Sequence, residues 1–309
     1  MKKALSFIFV FVFVASFSAL AVNATGGSFV DVYINGQEFS GGVQVKDATT
    51  FVGVRRFANE VDPSAKVTYS YQTRTLTISS SKLYMTVKDG ASYFVANGRY
   101  LYTESPIFMK NGVMYAPVML LAKAFDAKIS WHNASSSFNI TSGSGGILSG
   151  DKFYREDEVY WLSKIINAES GGEILKGKIA VGNVILNRVR SSSFPNTIYG
   201  VIFDRKYGTQ FSPVANGTIY NAPNADSIIA AKICLDGYSI NTGVLYFVNP
   251  TVSPSNWIIN NRVFFAKNRQ SRVLLLKIHP CANRRRGAFY LILFLDGILT
   301  IRTHRRPLS

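Results

Sequence analysis

One carboxylate in this chain stands where a proton donor would be useful. Glu169 lies within I-I-N-A-E-S-G-G-E-I-L-K-G-K-I-A-V-G-N-V-I-L-N-R-V-R, residues 165–190, between two apolar helical patterns. Val159, Leu162, Ile165 and Ile166 recur at helical spacing before it. Ile179, Gly182, Asn183, Leu186 and Val189 repeat that spacing after it, in a segment so apolar on its other faces that it should be nearly buried. Gly171 and Gly172 mark the turn between the two helices. A glutamate at the end of one buried helix, facing the start of another, is partly desolvated. Desolvation disfavours the charged form, so the carboxyl can keep its proton near neutral pH and serve as a general acid. On this stretch alone the ordinary alternative stays open, that Glu169 caps or solvates a helix end.

Three further blocks follow: S-F-P-N-T-I-Y-G-V-I-F (193–203), Q-F-S-P-V-A-N-G-T-I-Y (210–220) and L-Y-F-V-N-P (245–250). Together with the first block they make residues 155–267 resemble the catalytic domain of the spore-cortex-lytic, SleB/CwlJ-type cell wall hydrolases. That resemblance implies a mainly helical, lysozyme-like or lytic-transglycosylase-like fold and peptidoglycan as substrate. It also implies that the glutamates of the family's E-x-x-G-E block are Glu169 and Glu173.

The chemistry can then be narrowed by residue type. Residues 151–267 contain no histidine. A zinc amidase or endopeptidase needs imidazole ligands, and a cysteine peptidase needs a histidine beside its thiol. Cys234 falls in the helical run 225–236, closed by Gly237, and reads as core. Glycan cleavage by carboxylates remains. Asp151, Glu156, Asp157 and Glu158 belong in or near a helix's first turn, where the dipole favours acids, and Glu173 fits a helix start for the same reason. A glycosidase with two catalytic carboxyls has only one clear candidate here. One acid suffices if the substrate supplies the nucleophile: in a lytic transglycosylase the muramic acid 6-hydroxyl attacks its own anomeric carbon. Glu169 would then serve as acid and afterwards as base. Gln210, Ser212, Tyr246 and Asn249 are the candidates for holding the sugar, being polar groups in loop-like positions of these blocks, although each could equally satisfy loop backbone. Asn187 and Arg188 are expected to be structural. No metal or cofactor is expected. The alternatives carried are an N-acetylmuramoyl-L-alanine amidase and a catalytically impaired peptidoglycan-binding protein.

The amino-terminal half carries a repeat. T-F-V-G-V-R-R-F-A-N-E-V-D (50–62) aligns with M-Y-A-P-V-M-L-L-A-K-A-F-D (114–126), and K-V-T-Y-S-Y-Q-T-R-T-L-T-I (66–78) aligns with K-I-S-W-H-N-A-S-S-S-F-N-I (128–140). Each unit predicts a short helix followed by two strands, an α+β repeat domain over 29–141. Residues 83–87 and 93–96 add strand-like runs. This half resembles the copper amine oxidase amino-terminal-like domain, yet it offers one histidine, His132, and no cysteine, too few ligands for copper. Tyr69, Tyr71, Tyr100, Tyr102 and Trp131 could stack on sugars of the wall, or half of them could be core. Residues 142–150, S-G-S-G-G-I-L-S-G, have the composition of a flexible tether to a second domain, 151–267.

Residues 1–24 read as a secretory signal peptide: Lys2 and Lys3, an apolar run, then Ala19, Ala21 and Ala24. The expected location is therefore outside the cytoplasm, at the cell wall or spore cortex of a bacterium. Contact with a membrane would come only through that segment if it stays uncleaved. The net charge of +16 gives no case for nucleic acid, because half of it sits in residues 268–309 and each folded half carries only three excess positive charges. The 268–309 tail itself reads as a shifted frame. Where the family would continue I-G-N-H-x-F-Y, one allowed codon set for residues 268–275, read one nucleotide later, encodes I-G-N-H-V-F-Y. Cys234 and Cys281, one of them in that tail, are not expected to form a structural disulfide.

Overall fold

The computed structural model describes residues 30–206, 208–240 and 242–248, and the backbone of four later strands. The amino-terminal half is β-rich. Its elements are β1 (Asp31–Ile34), β2 (Gln37–Glu38), β3 (Val43–Lys46), β4 (Thr49–Gly53), α1 (Val54–Val61), β5 (Lys66–Ser70), β6 (Thr75–Ser79), β7 (Tyr84–Lys88), β8 (Tyr93–Ala96), β9 (Arg99–Tyr102), β10 (Phe108–Lys110), β11 (Val113–Pro117), α2 (Val118–Ala124), β12 (Lys128–His132) and β13 (Ser137–Thr141). They form sheets of order β12-β13-β1-β2 and β10-β11-β4-β3 and a five-stranded meander, β5 to β9. Alternation fixes the inward face of the meander: Leu76, Ile78, Met85, Val87, Phe94 and Ala96 point into one core. Helix α1 closes that core with Val54, Phe57, Ala58 and Val61, one stripe at helical spacing. β1 pairs in parallel with β13, Val32 opposite Phe138, which ties the two ends of this half together.

The second half is helical where the substrate chemistry was expected: α3 (Gly150–Phe153), α4 (Glu156–Ser170), α5 (Leu175–Arg190), α6 (Ile198–Ile202), α7 (Ser212–Asn216), a 3-10 turn (Thr218–Tyr220) and α8 (Ala225–Leu235). Glu156, Asp157 and Glu158 occupy the first turn of α4, while Asp151 lies in the separate α3. Asn224 caps α8 by accepting from the Ser227 amide. The three long helices meet at Gly182. A methyl group there would lie 2.7 Å from Cys234 Sγ and 2.9 Å from Ile166 Cδ1, so only glycine lets α5 pass so close to α4 and α8. Cys234 is buried at that crossing. Among the later residues, β14 (Tyr246–Val248) and β15 (Val263–Lys267) both pair with β16 (Leu274–Lys277), and β17 (Tyr290–Leu295) pairs with β18 (Ile298–Thr303).

Residues 142–150, expected as a tether, are held against the first half. Ser142 exchanges hydrogen bonds with Asn35, Ile147 is buried in the amino-terminal core, and Asn97 Nδ2 donates to the Ile147 carbonyl. The Gly150 amide donates to the Asn97 carbonyl at 2.7 Å, and a side chain on Gly150 would collide with the Gly98 carbonyl. From this anchor the β8–β9 hairpin presses on α8, and Tyr102 joins the core of the helical half. The expected signal peptide, residues 1–24, lies outside the described residues.

Candidate active site

Glu169 occupies the last turn of α4, whose end is tied down by buried side chains. Lys178, 2% exposed, donates from Nζ to the carbonyls of Ser170 (3.1 Å), Gly171 (2.8 Å) and Glu173 (2.5 Å). Asn224 Nδ2 donates to the Gly171 carbonyl, and Asn167 Oδ1 accepts from the Asn224 amide and the Ser227 hydroxyl. A helix's last carbonyls have no partner within the helix, so these donors fix where the final turn, and with it Glu169, comes to rest.

The carboxyl of Glu169 points inward. The residue is half-buried, but its Oε1 is enclosed and has no hydrogen-bond partner. Burial pushes its pKa up to about 8, against the opposing charge of Arg188. No second carboxylate among the described residues acts on it. At neutral pH this carboxyl holds a proton, as a general acid must.

Arg188, near the end of α5, is buried as well. Its Nε donates to the Leu245 carbonyl at 2.9 Å, and the rings of Phe194, Phe211 and Tyr246 surround the guanidinium at 5.0, 5.2 and 5.3 Å. Asn187 Nδ2 donates to the Val244 carbonyl, and Asn183 bonds the Tyr238 carbonyl and the Ile240 amide. One polar edge of α5 thus holds the whole approach to β14. Asn187 and Arg188, expected to be structural, each bond one backbone carbonyl of the segment leading into β14.

The four sugar-binding candidates divide. The Tyr246 ring faces Arg188. Gln210 and Ser212 flank Phe211, whose ring faces the same guanidinium. Ser212 is buried at the start of α7, and Gln210 Nε2 donates to the nearby Gly208 carbonyl. Asn249 lies outside the described residues. Sequence reasoning missed Lys178, whose signal was a lysine beside the apolar run Ile179–Val181 of a helix expected to be nearly buried. It also missed the partly exposed ring cluster around Trp161, formed by Tyr160, Tyr199, Phe203 and Tyr220.

Among the aromatics of the first half, Tyr71 is well exposed and Trp131 packs on Phe138. Tyr102 is buried in the core of the helical half, and Tyr100 is half-buried against it. Among the described residues no three His, Cys, Asp or Glu side chains gather as a metal site. Cys281 lies outside them.

Two family models match the chain. Residues 172–271 match the Cell Wall Hydrolase family model, which begins three residues after Glu169, and residues 33–140 match the Copper amine oxidase N-terminal domain. A spore cortex-lytic enzyme of Bacillus cereus is 39% identical over 105 residues, 34% of this chain and 39% of that protein. The spore cortex-lytic enzyme of Bacillus subtilis is 34% identical over 105 residues, 34% of this chain and 33% of that protein. The chain therefore spans well under half the length of these curated relatives. The solved catalytic domain of the germination-specific lytic transglycosylase SleB from Bacillus anthracis is 35% identical. The match covers 40% of this chain and 97% of that one, with a TM-score of 0.35. This chain joins a copper amine oxidase N-terminal domain to a cell wall hydrolase domain of the kind found in spore cortex-lytic enzymes.

Proposed function

We propose that this protein is a secreted enzyme that cleaves the glycan strands of peptidoglycan as a lytic transglycosylase, with Glu169 as its single acid and base. The observation that carries this reading is the enclosed Glu169 carboxyl, whose burial raises its pKa and on which no second carboxylate among the described residues acts. Protonation of the glycosidic oxygen by Glu169 breaks the C1–O bond, and the bonding pair stays with the departing oxygen. The muramic acid 6-hydroxyl then attacks C1, and its proton returns to the Glu169 carboxylate, so that no water enters the product. Both enzyme and substrate atoms balance. The relatives named for spore cortex lysis support peptidoglycan outside the cytoplasm as the target.

Gln210, Ser212, Tyr246 and Asn249 are read as the sugar-holding groups, and the first half as two helix-plus-strand units that add contact with the wall. The segments 29–141 and 151–267 are read as the two working domains. Mass spectrometry of the digested wall tests the reaction: a 1,6-anhydro end, lighter by one water than a reducing end, is expected. Reducing ends would mean hydrolysis, and released peptides would mean an amidase.

A further inference from the structure

The guanidinium of Arg188 is enclosed more completely than its contact with one backbone carbonyl requires. Rings from three separate segments surround it, Nε is satisfied by the Leu245 carbonyl, and Nη1 is buried without a hydrogen-bond partner. Oε1 of Glu169 is buried and unpartnered too. An enclosed donor and an enclosed acceptor, both left unsatisfied at rest, each cost free energy that a purely structural role does not call for.

We propose that Arg188 is the counter-cation of the Glu169 carboxylate, a positioning residue that acts on bond cleavage through Glu169 and does not touch the sugar. The proposal rests on the reading of Glu169 as the acid. When Glu169 gives its proton to the glycosidic oxygen it becomes an anion in an enclosed site, where an unbalanced charge is costly. At rest Glu169 is neutral and Arg188 gains little from it. Their attraction grows only as the proton leaves, so it stabilises the transition state more than the ground state. The ring faces keep the cation in place, although desolvation pulls its pKa down. The other groups whose charge favours the Arg188 cation are Tyr246 on β14 and Asp204 after α6, and Arg188 is the charged group acting on Glu169.

The Arg188 Nε resonance in the nitrogen-15-labelled full chain, assigned by its loss in Arg188→Lys, reads this coupling without any activity measurement. It is expected to shift with a midpoint near the Glu169 value of about 8, and the shift is expected to vanish in Glu169→Gln. A flat response in the parent protein, or a shift that persists in Glu169→Gln and so belongs to Asp204 or Tyr246, overturns the proposal. If the resonance titrates with Glu169 in a protein that cleaves no glycan, the pairing stands and only the reading of Glu169 as acid falls. In kinetics, Arg188→Gln is expected to lower kcat by about tenfold or more with KM changed by less than about twofold. The same variant is expected to move the alkaline limb upward, because the cation no longer favours the carboxylate, whereas Arg188→Lys keeps the limb. Equal losses in both variants with an unmoved limb would mean a merely structural arginine.

Discussion

Arg99 and Asp236 form a bidentate ion pair between the two halves of the chain, Nε to Oδ2 at 2.8 Å and Nη2 to Oδ1 at 2.9 Å. Both side chains are buried, at 7% and 3% exposure, so this is no surface pair. Lys123 Nζ reaches Asp236 Oδ1 at 2.5 Å and the Tyr154 hydroxyl donates to Oδ2 at 3.0 Å, while Tyr102 packs on Tyr238. The hydrolase half therefore presents α8 to a partner domain that meets its charge as well as its apolar surface.

Breaking this contact from one side should be costly. Arg99→Met leaves Asp236 buried with Lys123 and Tyr154 alone, and a loss of about 2–4 kcal/mol is expected, somewhat below that for a pair with no other support. Burial alone would raise the Asp236 pKa, but Arg99 and Lys123 outweigh it and hold the carboxyl below its ordinary value. A depressed native pKa gives stability that is present above the unfolded value and is lost as pH falls through the native one. The difference in melting temperature between parent and Arg99→Met should accordingly shrink in acid. A pH-independent difference, or none, would show that the pair does not hold the halves together.

How much of this could be read in the chain differs from residue to residue. The position of Glu169 at the end of a helix was legible because a helical period, a Gly171–Gly172 turn and an E-x-x-G-E block coincide within a few positions. The helices α4, α5 and α8 were legible for the same local reason. Arg99 and Asp236 are 137 residues apart, and nothing in either neighbourhood marks the other. Residues 142–150 have the composition of a tether, but composition does not record that Asn97 donates to the Ile147 carbonyl or that Gly98 leaves room only for Gly150. Whether Arg188 acts on Glu169 depends on how closely α5 packs against α4, which the bare Cα of Gly182 permits and neither helix's periodicity records.

Glu169→Gln should reduce glycan cleavage by at least about a hundredfold, because the amide keeps the shape but donates no comparable proton. The same variant should be more stable than the parent at neutral pH. The native carboxyl has a pKa raised to about 8, so its contribution is fully present below the unfolded value and is lost as pH climbs toward 8. The gain on substitution is on the order of 3 kcal/mol at pH 7, read as a higher melting temperature that disappears in acid. In the parent, kcat/KM should fall on the alkaline side of about 8 as the acid is lost. Undiminished activity in Glu169→Gln would remove it from the mechanism.

Lys178→Met tests how the site is held. The carbonyls of Ser170, Gly171 and Glu173 lose the lysine's charged donor, which methionine cannot replace; Gly171 keeps Asn224 Nδ2 and Ser170 keeps the Glu173 amide. A loss of about 2–4 kcal/mol is expected, together with a drop in kcat beyond that of the equally buried but remote Ile78→Ala. Equal kcat in the two variants would mean that the turn carrying Glu169 is fixed by Asn167 and Asn224 alone.

Chelators should leave activity unchanged. Residues 151–267 have no histidine to bind catalytic zinc, and the proposed chemistry runs on one carboxyl. Inhibition by a chelator that zinc reverses would revive the muramoyl-alanine amidase alternative.

Restoring the reading frame after Lys267, so that the chain continues I-G-N-H-V-F-Y, should raise both melting temperature and peptidoglycan turbidity loss above those of the present sequence. β14, which carries Tyr246 beside Arg188, pairs through its backbone with β16 (Leu274–Lys277), and β15 pairs with the other edge of the same strand. The strand between them is thus drawn from the very residues whose reading is in question. The present tail brings nine basic residues against one acid, with apolar runs at 274–276 and 289–295, a composition that favours aggregation when such runs lack a partner. A segment matched to this sheet by its own pattern should hold β14, and hence the Leu245 carbonyl and the Arg188 side chain, more firmly. Two full-length chains that differ only after Lys267 make the comparison, and equal melting with equal turbidity loss would show that residues 268–309 serve this domain as they stand.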